Sequence, residues 1–393
     1  MGAITAGGKK GNKGEAMDFE LNDEQQMIRK MVREFAEKEL APRAEEVDAK
    51  GQFPWEAIRK MGELGLLGLN VPEAYGGAGA DMVSYALAIE EIARACGSTA
   101  LTVAAHALCT TPLALFGSEE QKRKYLVPLA QGKLGAFGLT EPGAGSDAAS
   151  IKTTATRDGD WWVLNGSKIF ITNGGLADVL IIVAVTDKSK GTRGISAFIV
   201  EKGTPGFTAG RDEDKMGLRG ALTSQLFFEN CRLPAANLLG SEGDGFKYAL
   251  ATLDSGRIGI GAMSVGLAQA ALEASLRYAK ERVQFGQPIA NFQAIQWMLA
   301  DMGTQIEAAR LLVLRAAALK DKGQRFTKEA AMAKLFASEM AERACHKAIQ
   351  IHGGYGYVRE YAVERFYRDV RLCEIGEGTS EVQRLVIARQ LLG

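Results

Sequence analysis

The pattern of apolar residues divides the chain into three blocks, and this segregation limits the fold class more than any other feature. Residues 18–130 carry apolar side chains at helical spacing. Residues 135–240 instead hold short runs of β-branched and aromatic residues between Gly- and Pro-rich turns, and helical spacing returns from Phe246 onward. An alternating α/β fold would interleave the two patterns along the chain. The order therefore predicts an α+β protein that is mostly α-helical.

The two helical blocks differ in the length of their predicted helices. The first block has apolar-periodic stretches at 24–40, 55–66, 82–96 and 99–116. The last block has such stretches at 246–283, 292–322, 327–352 and 380–392, and no proline occurs after Pro288. The first two of these exceed the usual length of a globular helix, which favours an antiparallel bundle. We expect an N-terminal helical domain and a C-terminal four-helix bundle.

The middle block carries turn and strand signals. Asn165-Gly166 lies between β-forming runs at 161–164 and 167–172 and predicts a hairpin. Further short strands are predicted at 179–185, 194–200 and 225–228. Several strands without intervening helices favour a small antiparallel barrel or sandwich. The expected organisation is a disordered Gly- and Lys-rich tail at 1–16, a helical domain at 17–134, an antiparallel β-barrel domain at 135–245 and a helix bundle at 246–393.

The charge balance and the cysteines bear on partners and compartment. The chain has 47 Lys and Arg residues against 47 Asp and Glu residues, so neither a nucleic acid nor an anionic membrane is an expected partner. No apolar run reaches the length of a membrane span, and the N-terminus lacks the apolar core of a signal peptide. Five scattered cysteines without a CxxC pair favour reduced thiols in a cytoplasmic protein. The three histidines share no metal-ligand spacing, so we expect no zinc site.

Three carboxylates near the C-terminus form the first candidate site. Glu374, Glu377 and Glu381 lie among apolar residues, and Gly378 allows the backbone to approach a ligand closely. Thr379 can cap the predicted last helix. A carboxylate on a loop just before a helix N-terminus is placed to act as a general base. From this stretch alone, the alternative is that Glu377 only helps to start the helix.

Two glycine-rich stretches form further candidates. Residues 138–147 formally fit a G-x-G-x-x-A fingerprint, but Pro142 and a turn-like sequence replace the strand and helix that a Rossmann site needs. The hydroxyls of Thr140 and Ser146 with main-chain amides could instead bind a phosphate or a flavin edge, or the loop could be a tight turn between domains. Residues 350–357 hold three glycines at a helix end, which fits either close approach to a partner or ligand, or a structural turn.

Taken together, these stretches resemble the acyl-CoA dehydrogenase family. The matching motifs lie in family order at 139–147, 169–174, 282–286, 350–354 and 377–381. The resemblance implies α,β-dehydrogenation of an acyl-CoA thioester, with FAD bound between domains and across a subunit interface, usually in a homotetramer. It also implies electron-transfer flavoprotein as the acceptor, and the cytoplasm, or the mitochondrial matrix in a eukaryote, as the location.

The resemblance also implies residue roles. Glu377 would remove the α-proton while the β-hydrogen leaves as a hydride to flavin N5, and Thr140, Thr172 and Phe170 would contact the isoalloxazine ring. The implied FAD-binding residues are Phe137, Leu139, Thr140, Gly145, Ser146, Phe170, Thr172, Arg282, Phe285, Gln293, Gln350, Gly354, Thr379 and Glu381. The implied acyl-CoA-binding residues are Ser146, Asp254, Arg257, Gly376 and Gly378.

Two glycines bear on the acyl group. Gly376 stands where straight-chain relatives usually place an aromatic residue, which widens the pocket, and Gly256 stands where isovaleryl-type relatives carry the base. Glu377 is then the only matching base, and we expect a short or short-branched acyl-CoA. The wider pocket also admits a bulkier aromatic or dicarboxylic acyl group. Rival interpretations are an oxidase-like relative and a non-catalytic scaffold, whereas a serine hydrolase is disfavoured because no GxSxG motif occurs.

Overall fold

The computed structural model describes residues 20–393, so the tail expected at 1–16 lies outside the described residues. Helices before the sheet are α1 (Asp23–Phe35), α2 (Ala44–Lys50), α3 (Trp55–Glu63), α4 (Met82–Ala95), α5 (Gly97–Phe116), α6 (Glu119–Gln121) and α7 (Val127–Ala130). Helices after it are α8 (Gly245–Glu281), α9 (Gln293–Asp321), α10 (Thr327–His352), α11 (Val363–Val370) and α12 (Ser380–Leu392). The order of helix, strand and helix is as the sequence predicts.

Helix α8 is the element on which both helical blocks pack. It contacts α4 and α5 from the first block and α9 and α10 from the last. One hydrophobic core runs through all of them, from Val32 in α1 to Val313 in α9. The two helical blocks therefore share one core, while the sheet has its own core around Trp162 and Phe198. We propose domain boundaries at 134/135 and 245/246, because β1 begins at Gly135 and α8 follows the last strand of the sheet.

The sheet is mixed. Its strands are β1 (Gly135–Gly138), β2 (Thr154–Asp158), β3 (Trp161–Thr172), β4 (Val179–Val185), β5 (Ile195–Glu201), β6 (Phe207–Asp212), β7 (Thr223–Pro234) and β8 (Leu238–Leu239). They pair in the order β6-β7-β3-β2-β4-β5-β8, with β1 also paired to β4. Most neighbouring strands are antiparallel as expected, but β1 and β2 run parallel to β4. Closure of this sheet into a barrel stays a prediction. A separate two-stranded ribbon consists of β9 (Val283–Gln284) and β10 (Gln287–Pro288).

The hairpin predicted at Asn165-Gly166 is wrong. Both residues lie inside the single strand β3, next to a register shift against β7. There the neighbouring strand carries the extra residue, and the side-chain oxygen of Asn165 accepts a hydrogen bond from the Asn230 N–H at 2.8 Å. A Cβ at Gly166 would overlap Thr153, so the glycine serves a close approach of strands. The hairpin turn lies instead at Gly159, between β2 and β3.

Two helices are longer and more apolar than the sequence analysis allowed. By length and composition alone, α5 and α8 could cross a membrane. However, 67% of the most apolar window of α5 and 78% of that of α8 are buried inside the protein. Core helices have this burial because other helices cover their apolar faces. The expectation that no apolar run reaches the length of a membrane span is therefore wrong. Burial in the core explains why α5 and α8 are so long and apolar.

Candidate active site

Of the three C-terminal carboxylates, Glu377 has the unusual environment. Glu374 pairs with Arg371 at 2.5 Å, and Glu381 is exposed in the first turn of α12. The Oε2 atom of Glu377 is buried and has no hydrogen-bond partner among residues 20–393. Thr379 supplies the side-chain cap of α12, so the helix start does not need the Glu377 carboxylate. Seven other buried side-chain atoms within residues 20–393 also lack a partner, but Glu377 is the only carboxylate among them, so this oxygen points to a functional role.

Two buried side chains hold the backbone that presents Glu377. Glu377 itself has a φ of +54°, a left-handed conformation that is uncommon for a residue with a side chain. The side-chain amide of Gln383 donates to the carbonyls of Glu377 and Gly378 at 3.2 and 2.9 Å. The ammonium of Lys334, on α10, donates to the Gly378 carbonyl at 2.8 Å. These contacts stabilise the strained turn and so fix the direction of the Glu377 side chain.

Burial and two nearby cations set the charge state of Glu377. Burial raises the pKa of Glu377 to about 7, and the charges of Lys334 and Arg257 oppose that rise. Neither cation clamps the carboxylate. The Arg257 guanidinium is paired with Asp254 at 2.6 Å, and Lys334 bonds to a carbonyl. The carboxylate is thus poised to gain or lose a proton near neutral pH.

The Glu377 carboxylate lies over a bare segment of α8. A Cβ added to Gly256 would overlap Glu377 Oε2 and would come within 2.7 Å of Leu108 Cδ2 on α5. One turn further along the same face, a Cβ on Gly259 would lie 3.4 Å from the hydroxyl of Tyr85 on α4. Side chains from α4 and α5 and the bare face of α8 therefore lie close to the carboxylate, and Gly256 makes room for the carboxylate itself.

A second cluster lies at one edge of the sheet. The Thr140 carbonyl accepts a hydrogen bond from the Ile169 N–H at 2.9 Å, which places Thr140 next to Phe170. Phe170 has a φ of +58° and is 62% exposed, although it is large and apolar. Two residues along β3, the hydroxyl of Thr172 lies 3.3 Å from that of Thr223. The threonine hydroxyls and the exposed ring share this edge.

Helix α5 connects the sheet edge to the carboxylate. Asn173, which follows Thr172, donates from its side chain to the Thr102 carbonyl of α5 at 3.0 Å. Leu108, which lies beside Gly256, is six residues further along that helix, a rise of about 9 Å. The sheet edge and the surroundings of Glu377 therefore contact α5 at points about 9 Å apart along its axis.

The loop that follows Thr140 is held by a buried ion pair. The ammonium of Lys168 lies 2.7 Å from Glu141 and also donates to the Leu139 carbonyl at 3.1 Å. Glu141 in addition accepts the backbone N–H groups of Lys152 and Thr153. The two ends of the glycine-rich loop are therefore fixed, whereas its tip, including Gly145 and Ser146, is exposed.

A third cluster lies far from Glu377 within the same chain. Arg282 follows the end of α8 and comes 26 residues after Gly256, about 39 Å along a helix. Its guanidinium lies over the ring of Tyr355, with 5.2 Å to the centroid. Arg282 is half-buried, and the remaining members are exposed around this end of the bundle: Phe285, Gln293, Gln350 and Gly354. The structure does not bring this cluster to the Glu377 carboxylate of the same chain.

The sequence patterns that define the N-terminal, middle and C-terminal domains of acyl-CoA dehydrogenases match residues 22–133, 136–231 and 243–392. The chain belongs to the acyl-CoA dehydrogenase family. It is accordingly an FAD-dependent oxidoreductase. The resemblance found in the sequence motifs is confirmed.

Individual relatives cover nearly the whole chain. The short-chain specific acyl-CoA dehydrogenase of Clostridium acetobutylicum is 51% identical over 377 residues, which are 95% of this chain and 100% of that protein. The structure of butyryl-CoA dehydrogenase from Megasphaera elsdenii is 52% identical with a TM-score of 0.94, covering 96% of this chain and 100% of that chain. A chain from the structural study of the electron transferring flavoprotein of Acidaminococcus fermentans is 53% identical with a TM-score of 0.95, with the same coverage.

The residues of this acyl-CoA dehydrogenase fit a bound flavin. The exposed Phe170 ring can cover an apolar planar ring, and the hydroxyls of Thr140 and Thr172 on the same edge can bond its polar rim. Nothing lies within 4 Å of where a Cβ would stand at Gly145 or Gly354, so both glycines leave room for a ligand. Among residues 20–393, no group of three or more His, Cys, Asp and Glu side chains could hold a metal ion.

The remaining predicted site residues differ in their location and contacts. Phe137 and Leu139 lie on β1 and just after it, packed into the core behind the sheet edge. Gly376 precedes the base, and Thr379 caps α12. Asp254 is engaged on both oxygens, by Arg257 and by the hydroxyl of Thr327 at 2.6 Å. Whether these groups contact FAD or acyl-CoA stays a prediction.

Sequence reasoning missed four residues that shape the acyl-CoA dehydrogenase site. These are Lys334 and Gln383, which hold the base loop, and Leu108 and Tyr85, which face the space beside the base. Lys334 had a detectable signal, because it is a lone charge within the small apolar run 330–335. Tyr85 and Leu108 had none, because ordinary core positions share their helical spacing.

Proposed function

We propose that this acyl-CoA dehydrogenase removes the α-proton of a short acyl-CoA thioester with the carboxylate of Glu377. The observation that carries the proposal is the buried Oε2 atom of Glu377, which has no hydrogen-bond partner among the described residues. A general base needs a free lone pair toward its substrate and a pKa near the working pH. Burial raises the pKa of Glu377 to about 7, which meets the second need.

The backbone beside the base offers a donor for the thioester oxygen. Loss of the α-proton moves negative charge to that oxygen, and fixed hydrogen-bond donors stabilise it. The N–H of Glu377 donates no hydrogen bond within residues 20–393. Because Lys334 and Gln383 already bind the carbonyls of this turn, the N–H stays oriented and available.

Bound FAD would supply the acceptor for the hydrogen that leaves the β-carbon as a hydride. We assign its ring to the edge formed by Thr140, Phe170 and Thr172, which is joined to α5 through Asn173. We assign its adenosine diphosphate half to the cluster of Arg282, Phe285, Gln293, Gln350 and Gly354 of a second subunit. The separation of about 39 Å along α8 between Gly256, beside Glu377, and Arg282 supports this division. A cofactor shared in this way requires at least two subunits, and the family resemblance supports a homotetramer.

The partners follow from the same assignment. We infer that electron-transfer flavoprotein is the acceptor, and support comes from the related chain in the study of the electron transferring flavoprotein of Acidaminococcus fermentans. We place the enzyme in the cytoplasm, in line with its bacterial relatives and its free, buried cysteines. Ser146, Asp254 and Arg257 are assigned to the coenzyme A arm.

A short acyl group is proposed from two lines of support. The relatives named short-chain specific acyl-CoA dehydrogenase and butyryl-CoA dehydrogenase are 51% and 52% identical to this chain. In addition, the side chains of Leu108 and Tyr85, on neighbouring helices, border the space beside Glu377. These side chains leave less room for an aromatic acyl group than for a small one.

The decisive experiment is anaerobic flavin bleaching by butyryl-CoA in the variant Glu377→Gln. Loss of a general base lowers a rate by about 10²- to 10⁴-fold, so bleaching should nearly cease while FAD and acyl-CoA still bind. Glu374→Gln is the matched control, since it removes a nearby carboxylate that is paired with Arg371. Bleaching by Glu377→Gln at a rate near that of the control would refute the assignment.

A further inference from the structure

Tyr85 stands out among the buried tyrosines. Three tyrosines are buried, and two of them have hydroxyl partners: Tyr125 donates to Glu201 at 2.8 Å, and Tyr248 accepts from the Ser241 N–H at 3.2 Å. Tyr85 is only 5% exposed, yet its hydroxyl makes no hydrogen bond to any described residue. The hydroxyl oxygen itself is not fully enclosed, so water or a ligand group can reach it and pair with it.

The position of this hydroxyl relates it to the base. It lies against Gly259 of α8, three residues after the glycine over which the Glu377 carboxylate sits. Three residues of helix rise about 4.5 Å, roughly the length of three or four bonds of an extended alkyl chain. The negative charge of Glu377 also contributes to raising the pKa of Tyr85, after the larger effect of burial, which agrees with their closeness.

From these observations we propose that Tyr85 sets the length of the acyl group. An acyl chain whose α-carbon (C2) lies at Glu377 and whose tail follows the bare glycine face of α8 meets the Tyr85 hydroxyl near its fifth or sixth carbon. A shorter tail leaves room for a water on the hydroxyl. A longer tail displaces that water and leaves the hydroxyl unpaired. This inference rests on the proposed function and adds a specificity-determining residue to it.

Two variants separate the contributions of size and polarity. Tyr85→Phe removes only the hydroxyl, and Tyr85→Ala also opens the space behind it. Leaving a buried polar group unpaired costs an enzyme about tenfold or more in specificity. The ratio of kcat/KM for hexanoyl-CoA to that for butyryl-CoA should therefore rise about tenfold in Tyr85→Phe, and further in Tyr85→Ala. Tyr125→Phe, which removes a hydroxyl that is paired with Glu201 of β5, should leave the ratio unchanged.

A binding measurement gives a readout that does not depend on turnover. In the Glu377→Gln background, calorimetric dissociation constants for hexanoyl-CoA and butyryl-CoA should show the same change in preference on Tyr85→Phe. A ratio within twofold of the parent enzyme in Tyr85→Phe, by both measures, overturns the role of Tyr85 even if Tyr85→Ala does not fold. That outcome leaves the proposed function intact. The proposed function itself fails if no acyl-CoA bleaches the parent enzyme, or if Glu377→Gln bleaches normally.

Discussion

Replacing Lys334 by methionine should move the pH dependence of flavin reduction without destroying the fold. Lys334 is fully buried and is the first of the two cations that lower the pKa of Glu377. Methionine has a similar length and no charge. The Gly378 carbonyl that loses the ammonium keeps its hydrogen bond from Gln383 at 2.9 Å, so no backbone oxygen is left unpaired.

The direction of the effect follows from the base being active only when it is unprotonated. With a pKa of about 7 for Glu377, the reduction rate of the parent enzyme should fall by half near pH 7 and decline further at lower pH. A nearby opposite charge shifts the pKa of a carboxyl group by about one to three units, and here Arg257 shares the task. The midpoint in Lys334→Met should therefore rise by about one pH unit.

The size of the effect depends on the pH of the assay. A midpoint one unit higher leaves about a tenth of the base unprotonated at pH 7, against about half in the parent, so the rate should fall about fivefold. At pH 9 the two rates should agree within about twofold. Burial lowers the pKa of Lys334 to about 8, so the cation is present in the parent enzyme at pH 7, where the comparison is made.

Stopped-flow bleaching by butyryl-CoA between pH 5.5 and 9.5 measures this directly. Lys320→Met is the matched control, because Lys320 is another lysine whose pKa burial lowers to about 8, yet its charge is not among those that act on the pKa of Glu377. The control should keep the midpoint of the parent. An equal loss of rate at every pH in Lys334→Met, with no change of midpoint, would refute the electrostatic reasoning. Lys334 would then have only a structural role in holding the loop.

Two further substitutions test the surroundings of the site. Gly256→Ala places a methyl group where Glu377 Oε2 lies and should lower the bleaching rate by about 10²-fold, whereas Gly303→Ala, whose Cβ meets nothing closer than 4.0 Å, should be harmless. Lys168→Met leaves the buried Glu141 without its cation and should lower the free energy of unfolding by about 3–5 kcal/mol, and with it FAD retention. Denaturant unfolding checks this against Lys152→Met, which keeps the backbone N–H that Glu141 accepts. A loss below 1 kcal/mol in Lys168→Met would contradict it.

The long elements were predictable because their apolar periodicity is repeated many times. The stretch 327–352 is the helix Thr327–His352, and 179–185 is the strand Val179–Val185. Asn165-Gly166 failed because its local preference for a turn is outweighed by pairing of β3 with β7 on both sides of the bulge. Short elements such as the strand β1 and the helix α11 were not predicted, because four to eight residues are too few to show a clear apolar periodicity.

The candidate site was only partly predictable. Glu377 could be found because a glycine, a threonine cap and a family motif surround it, but its isolation from partners is a property of the packed chain. Tyr85, Leu108 and Gly256 come from three helices that are far apart in sequence. Helical spacing shows which face of each helix is buried but not which faces meet, so their convergence required the structure.

The contact between Gly256 and Glu377 explains why the base can come from only one of two elements. The Glu377 carboxylate occupies the volume that the first side-chain atom at position 256 would need. A side chain on α8 and a carboxylate from the loop before α12 therefore exclude each other at this point, since protein interiors leave no spare room. The proposed role of Glu377 as the base therefore requires glycine at position 256. At Gly259, one turn along, the absence of a side chain leaves α8 bare where the acyl tail would run toward Tyr85. The glycines of α8 therefore bear on both properties: Gly256 on which residue is the base, and Gly259, by the inference on Tyr85, on the length of the acyl group.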